Sequence, residues 1–287
     1  MVSLKALYDS IEAKLTAAKD DNDVFEARYE AQLIVSRAIG ADYRFTVLRD
    51  PDTAATDEQA AAAQEMTLRR LSGEPLQYIF GEWDFYDLTF AVGEGVLIPR
   101  QDTETLVELV ADNYLKDGMV CADLCSGSGC IGISLSRRCK TEMYCYEKSD
   151  KAMEYLMRNI EKNRHKLSGK VTALLADVLD EKIVEAAPMF DVIVSNPPYL
   201  TAEEMTRLQK EVAFEPEMAL FGGGDGLDFY RGIIKLWTKR LKSGGLMAFE
   251  IGETQAEAVS GLFRENGIEP KVLKDYCDND RVVYGIK

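Results

Sequence analysis

From Val120 onward the chain alternates short apolar runs rich in β-branched residues with stretches of helical periodicity, and few folds accept that alternation. Strands are expected at Val120–Leu124, Met143–Glu147, Val171–Leu175, Phe190–Ser195, Leu246–Ile251, Lys271–Lys274 and Val282–Ile286. Parallel neighbours need a crossover, which a helix supplies, so the pattern predicts an α/β fold with a doubly wound sheet. The tightest constraint is the run Phe190-Asp191-Val192-Ile193-Val194, followed by Ser195-Asn196-Pro197-Pro198-Tyr199. It reads as a buried parallel strand whose end opens into a rigid loop. Each proline fixes its own φ and restricts the residue before it, so Asn196 is held in one place beside carbonyls that carry no N–H of their own. The result is an acceptor-rich pocket and a candidate active site, although Asn-Pro alone is also a common start to an ordinary turn. The helix carrying Tyr230, Ile233 and Trp237 is expected to close at Ser243-Gly244-Gly245, and the next at Gly267.

Ahead of this region the periodicity is helical. Leu4, Leu7, Tyr8, Ile11 and Leu15 share one face of a first helix that ends near the acidic cluster at 20–23. A second helix is expected from Val24 to Ala38 with Gly40 as its stop, and a third from Thr56 to Leu71 with Gly73 as its stop. From Tyr78 to Ile98 the period changes to two, with Trp83-x-Phe85 and Leu88-x-Phe90-x-Val92 flanking a turn at Tyr86-Asp87. Residues 1–75 are therefore expected to form a helical bundle, 76–98 a β-hairpin linker, and 99–287 the α/β domain. Asp102 or Thr103 is a candidate cap for the helix carrying Leu106, Leu109 and Val110.

Composition narrows the partners. With 34 basic and 49 acidic residues the 287-residue chain carries a formal charge of −15, which opposes nucleic-acid backbones and suits a basic protein partner. No leader or membrane-length apolar run is read at the start, so a cytoplasmic protein without membrane contact is expected; a monomer is expected as well. Six cysteines and one histidine lack the paired spacing of a metal site, and the cysteines are expected to be reduced core thiols.

The loop Asp123-Leu124-Cys125-Ser126-Gly127-Ser128-Gly129 joins the first strand of the sheet to a helix, where glycines admit a ligand close to the backbone and the helix N-terminus attracts an anion. Gly127-x-Gly129-x-x-Gly132 also spells a nicotinamide dinucleotide fingerprint. Glu147, ending the next strand, is placed to bind ribose hydroxyls, and Asp177-Val178, after the third, to meet an adenine edge. Either acidic residue could also be a solvated strand end. Asn196-Pro197-Pro198-Tyr199 after the fourth strand favours an adenosyl cofactor, since a dehydrogenase has no need of it.

Together these words resemble the peptide chain release factor glutamine methyltransferases, the PrmC or HemK family. The resemblance covers nearly the whole chain: Gly73–Ile79, Val96–Glu104, the glycine loop, Asn196–Tyr199, Glu215-Pro216 through Asp225-Gly226-Leu227, Leu241–Gly245 and Asp280-Arg281-Val282. It implies a class I, Rossmann-like S-adenosylmethionine-dependent methyltransferase domain behind the bundle and hairpin. It also implies methylation of the side-chain amide nitrogen of glutamine in the Gly-Gly-Gln motif of release factors, with S-adenosyl-L-homocysteine as product; because a glutamine side chain is small and common, the bundle is expected to recognise the substrate protein. The implied catalytic residues are Asn196, Pro197, Pro198 and Tyr199. The implied cofactor residues are Asp123, Cys125, Ser126, Gly127, Ser128, Gly129, Glu147, Asp177, Val178 and Asn196. Cys125 stands where the family usually has glycine, Gln101 where a proline is common, and Glu217 where a basic residue is frequent. A Cys at a position needing positive φ would narrow the methionine end of the pocket. An adenine-N6 methyltransferase, a methyltransferase for a ribosomal-protein glutamine and a non-catalytic cofactor-binding module remain alternatives.

Overall fold

The computed structural model describes residues 2–18, 24–41 and 49–287, so the acidic cluster at 20–23 lies outside the described residues. The chain divides into two units, Met1–Phe80 with Lys210–Phe214, and Gly81–Gln209 with Glu215–Lys287. The hairpin expected as a linker groups with the second.

In the first unit, strand β1 (Val2–Ser3) pairs antiparallel with β2 (Ala54–Ala55). The helix Leu4–Ala17 starts where the Ser3 side chain accepts the Ala6 N–H, and it buries Leu4, Leu7, Ile11 and Leu15. Tyr8 stays half-buried at the margin of that face. The second helix runs Val24–Ile39 and stops before Gly40, whose φ of 70° no helix interior tolerates. The third, Asp57–Leu71, opens on a capping box between Thr56 and Gln59 and is followed by Gly73 at φ 99°. Another short helix, Leu76–Phe80, takes up Tyr78, which corrects the expected start of the period-two segment. Pro75 explains the difference, because proline suits the residues leading into a helix and its carbonyl accepts the Tyr78 and Ile79 N–H groups. Within this unit the buried Arg70 pairs with Glu30 at 2.8 Å and Glu211 at 2.6 Å.

The second unit opens with the hairpin of β3 (Glu82–Phe85) and β4 (Leu88–Ala91). Its two-residue turn holds Tyr86 and Asp87 at φ 46° and 62°, the primed geometry that matches strand twist. Asn159 fixes the hairpin by accepting the Ala91 N–H and donating to the Ala91 carbonyl.

The main sheet comprises β5 (Val120–Leu124), β6 (Glu142–Glu147), β7 (Lys170–Leu175), β8 (Phe190–Ser195), β9 (Leu241–Glu250), β10 (Glu269–Lys274) and β11 (Asp280–Ile286). Its order is β10-β11-β9-β8-β5-β6-β7, with β7, β6, β5, β8 and β9 parallel and the last two strands antiparallel. Phe190, Tyr230, Trp237, Phe249 and Phe263 are fully buried among this core, and the one polar atom of the Trp237 ring donates to the Val178 carbonyl at 2.8 Å.

Three expectations are corrected here. The helix Asp228–Trp237 ends through a 3-10 turn at Thr238–Arg240, and Ser243-Gly244-Gly245 lies inside β9. Leu241 already pairs with Phe190 while Leu246 pairs with Val192, so the glycines absorb extra residues in a strand rather than stop a helix. Neither Asp102 nor Thr103 caps by its side chain, because Gln101–Thr103 is itself a 3-10 turn leading into the helix Glu104–Asn113. The cysteines are free, but only Cys121 and Cys145 are buried; Cys277 is exposed and the other three are intermediate.

Candidate active site

Register brings three loops to one edge. Leu124 of β5 lies between Tyr146 of β6 and Ser195 of β8, so Cys125, Glu147 and Asn196, each one residue further on, emerge side by side. They do so between β5 and β8, where the strand order reverses and open α/β sheets form their ligand crevice. A cleft opens there. Cys125, Ser126, Gly127, Ser128, Glu147, Asp177, Val178, Asn196 and Pro198 line it. Asp123 is fully buried, and Gly129 is the N-terminal cap of the helix Cys130–Arg138. Tyr199 lines a neighbouring depression with Glu204 and Gln255.

The glycine loop is built by carboxylates. Asp123 Oδ2 accepts the Gly132 N–H at 3.0 Å and so caps the helix that follows the loop. Burial pushes the Asp123 carboxyl up to about 7; the Gly132 N–H and the nearby Ser126 hydroxyl pull against that, and Glu147 adds to it. Glu147, nearly buried, accepts the Gly127 N–H at 2.8 Å and the Ser149 N–H at 2.7 Å, which aims its carboxylate across the loop. Cys125 does adopt φ 60°, a left-handed conformation that costs a side-chain-bearing residue about 1–2 kcal/mol. Desolvation opposes ionisation of Asp177, but Lys148 at 2.7 Å and the Leu179 N–H hold its carboxyl below the usual range.

At the proline turn the Asn196 nitrogen donates to Thr103 Oγ1 at 3.3 Å, while its oxygen is buried without a partner among the described residues. Leu200 and Phe221 form a parallel bridge behind the turn, and a side chain at Gly222 would stand 2.7 Å from the Pro198 carbonyl. Gln255 Nε2 donates to the Tyr199 carbonyl at 3.1 Å. Desolvation first, and then Glu250, raises the Tyr199 phenol far above its ordinary range, so it stays neutral.

Several cleft residues escaped the reading of the sequence. Glu215 accepts the Ile98 N–H at 2.9 Å and pairs with Arg100, tying together two segments that both line the cleft. Thr103 lines the cleft and Glu250 ends β9 beside it, both about 1% exposed. The words Ile98-Pro99-Arg100 and Glu215-Pro216 were visible, but nothing in either signals that one charge answers the other.

Known proteins share this architecture. Residues 7–81 match the family model described as the PrmC N-terminal domain, and residues 100–225 match the methyltransferase small domain. The release factor glutamine methyltransferase of Clostridium botulinum is 39% identical over 88% of this chain and 90% of its own length, and that of Clostridium acetobutylicum 35% identical over 98% of each. The chain belongs to the release factor glutamine methyltransferases. A methyltransferase of Pyrococcus furiosus has the same fold at 18% identity, with a TM-score of 0.50 over 78% of this chain and 97% of that one. As a member of that family the chain is a methyltransferase, with a Rossmann-like domain that follows the PrmC-type helical region in the sequence. Among the described residues no helix is long and apolar enough to cross a membrane.

Proposed function

We propose that this chain transfers the methyl group of S-adenosyl-L-methionine to the side-chain amide nitrogen of the glutamine in the Gly-Gly-Gln motif of peptide chain release factors. The observation that carries the reading is the orphaned Asn196 Oδ1: a buried acceptor without a donor costs about 1–3 kcal/mol and calls for a ligand that brings N–H groups. A primary amide brings two.

The cleft suits the cofactor as well. Glu147 offers a carboxylate to a ribose diol, Asp177 and Val178 line the position for an adenine, and Gly127 leaves open space where a Cβ would project. When bound, the cofactor supplies an electrophilic methyl on a positively charged sulfur, and S-adenosyl-L-homocysteine is left after transfer.

The chain's own task is to make a poor nucleophile adequate. An amide nitrogen shares its lone pair with the carbonyl, as in a peptide bond. Asn196 Oδ1 and the Pro197 carbonyl accept the two amide hydrogens, aim the nitrogen, and stabilise the positive charge that grows on it. The prolines fix the backbone that carries both acceptors, and Tyr199 braces the turn. No side chain need act as a strong base, because the methylated nitrogen is acidic enough to release its proton afterwards.

Mass spectrometry of a Gly-Gly-Gln-containing release factor incubated with enzyme and cofactor tests the reading. One added methyl on that glutamine is expected. A factor left unmodified by an enzyme that binds the cofactor would exclude the substrate.

A further inference from the structure

A carboxamide is nearly symmetric in shape but not in chemistry. Turning Asn196 by half a rotation about its last bond would replace the buried, unpartnered acceptor with a donor. A donor there could not receive the hydrogens of a substrate amide. Something must therefore decide which end of Asn196 faces inward. The prolines fix the backbone, but they do not fix this choice.

The side chain's nitrogen meets Thr103 Oγ1 at 3.3 Å. A hydroxyl can donate as readily as accept, so Thr103 alone would permit both orientations. On its other side the Glu250 carboxylate lies close enough to interact with that hydroxyl, and Glu250 Oε2 is buried without a partner among the described residues, so the single Thr103 hydrogen can turn to it. An ionised carboxylate only accepts, which leaves Thr103 Oγ1 with nothing but lone pairs for Asn196. Thr103 and Glu250 are both about 1% exposed, so water does not substitute for either.

We propose that Thr103, backed by Glu250, is a positioning residue that keeps the Asn196 nitrogen out of the cleft and its oxygen in it; the role rests on Asn196 being the acceptor for the substrate amide. Donation runs in one direction, from Asn196 to Thr103 to Glu250. The carboxylate at the end sets that direction.

Protonation of Glu250 can undo it. Desolvation pushes this carboxyl up to about 7, against the Thr103 hydrogen bond and Arg281, with Asp102 adding to the rise and Arg100 opposing it. The Tyr199 phenol stays neutral beside it, and the Tyr230 hydroxyl is committed to the Glu250 backbone carbonyl. A protonated Glu250 can donate to Thr103, whose hydrogen is then free to turn toward Asn196 and favour the wrong orientation. Below about pH 7 the turnover number should fall for this reason, with cofactor affinity unchanged.

The test uses full-length enzyme with a release factor as substrate. Thr103→Val keeps the shape and removes the hydroxyl, and should lower kcat by about ten- to a hundredfold, the scale of a misaimed reactant, with KM and cofactor affinity changed less than about twofold. Thr103→Ser should restore most of the rate. Glu250→Gln, which cannot ionise, should lose the acidic limb of the pH profile. Unchanged kcat in Thr103→Val, or a Thr103→Ser variant as slow as Thr103→Val, would overturn the proposal. A readout without substrate keeps it separate from the substrate reading. In the Asn196 side-chain NH2 resonances, identified by their loss in Asn196→Ala, one hydrogen should exchange slowly with solvent in the wild type and rapidly in Thr103→Val. Equal exchange in the two proteins would sink the Thr103 role even if release factors are methylated as expected.

Discussion

Asn196 gives its nitrogen to Thr103 and keeps its oxygen buried without a partner among the described residues, so the two ends of one carboxamide face opposite environments. The unsatisfied end is the one free to act on a ligand. Removing it should cost catalysis without costing the fold. Asn196→Ala is expected to lower kcat at least ~100-fold, the scale for one transition-state hydrogen bond in a dry site, with cofactor affinity nearly unchanged. Stability should change little, because the orphaned acceptor leaves with the side chain while only the long 3.3 Å bond to Thr103 is lost. Single-turnover rates beside calorimetric titration of the cofactor check this, and retention of most of the rate would rule out the acceptor role.

Glu147 serves two tasks with one carboxylate. It holds the Gly127 and Ser149 N–H groups, and it lines the cleft with the lone pairs that remain. Glu147→Ala should weaken cofactor binding by about 1.5–3 kcal/mol, the worth of a hydrogen bond to a charged group. The rate at saturating cofactor should change much less. An unaltered dissociation constant would move the ribose contact to another residue.

Asp123 makes stability depend on pH in the less usual direction for a carboxylate. Its folded pKa of about 7 lies above the ordinary 3.8, so the folded state binds the proton more tightly than the unfolded chain does. The stability this gives is complete below about pH 4 and is lost as pH rises through 7. Glu250, raised from 4.5 to about 7 by burial, contributes in the same sense. Urea unfolding should therefore show a higher midpoint at pH 5 than at pH 8, by on the order of a few kcal/mol in free energy. Asp123→Asn keeps an acceptor for the Gly132 N–H but cannot ionise. It should remove about half of the difference, and an undiminished difference would assign the slope elsewhere.

Much of this was legible in the chain because parallel strands are buried on both faces and so write themselves as unbroken apolar runs. Phe190–Val194 and the prolines after it located both the strand and the turn. What stayed hidden depends on contacts between distant residues. Gly244-Gly245 reads alike as a helix stop and as a strand irregularity, and only the pairing of Leu241 with Phe190 decides between them. Thr103 looked like a cap because Thr before a helix usually is one, yet its hydroxyl is turned to Asn196. Cys125 showed no sign of its positive φ apart from the glycine that related loops carry there. Charge answers charge at Arg100 and Glu215, a pairing that no spacing rule announces.

The helical unit carries no chemical motif, yet it accounts for the first 80 residues. A glutamine side chain is small and common, so a pocket alone cannot select one glutamine among many, and discrimination must come from contacts elsewhere on a folded partner. A short Gly-Gly-Gln peptide should therefore be methylated far less efficiently than an intact release factor. The chain's charge of −15 suits a basic partner, so rising salt should raise KM for the intact factor and leave the peptide's kinetics nearly unchanged. Removing residues 1–80 should narrow the gap between the two substrates chiefly by weakening the intact factor. Lys210–Phe214 packs with the helical unit, Phe214 lying 3.5 Å from where a Gly73 side chain would be, so the truncated enzyme must first be shown to bind cofactor with wild-type affinity. Given that control, catalytic efficiency on the whole factor is the deciding quantity. If truncation leaves it unchanged, the helical unit is not the recognition domain, and its cluster of buried Arg70 and Glu30 with half-buried Glu211 serves the stability of that unit alone.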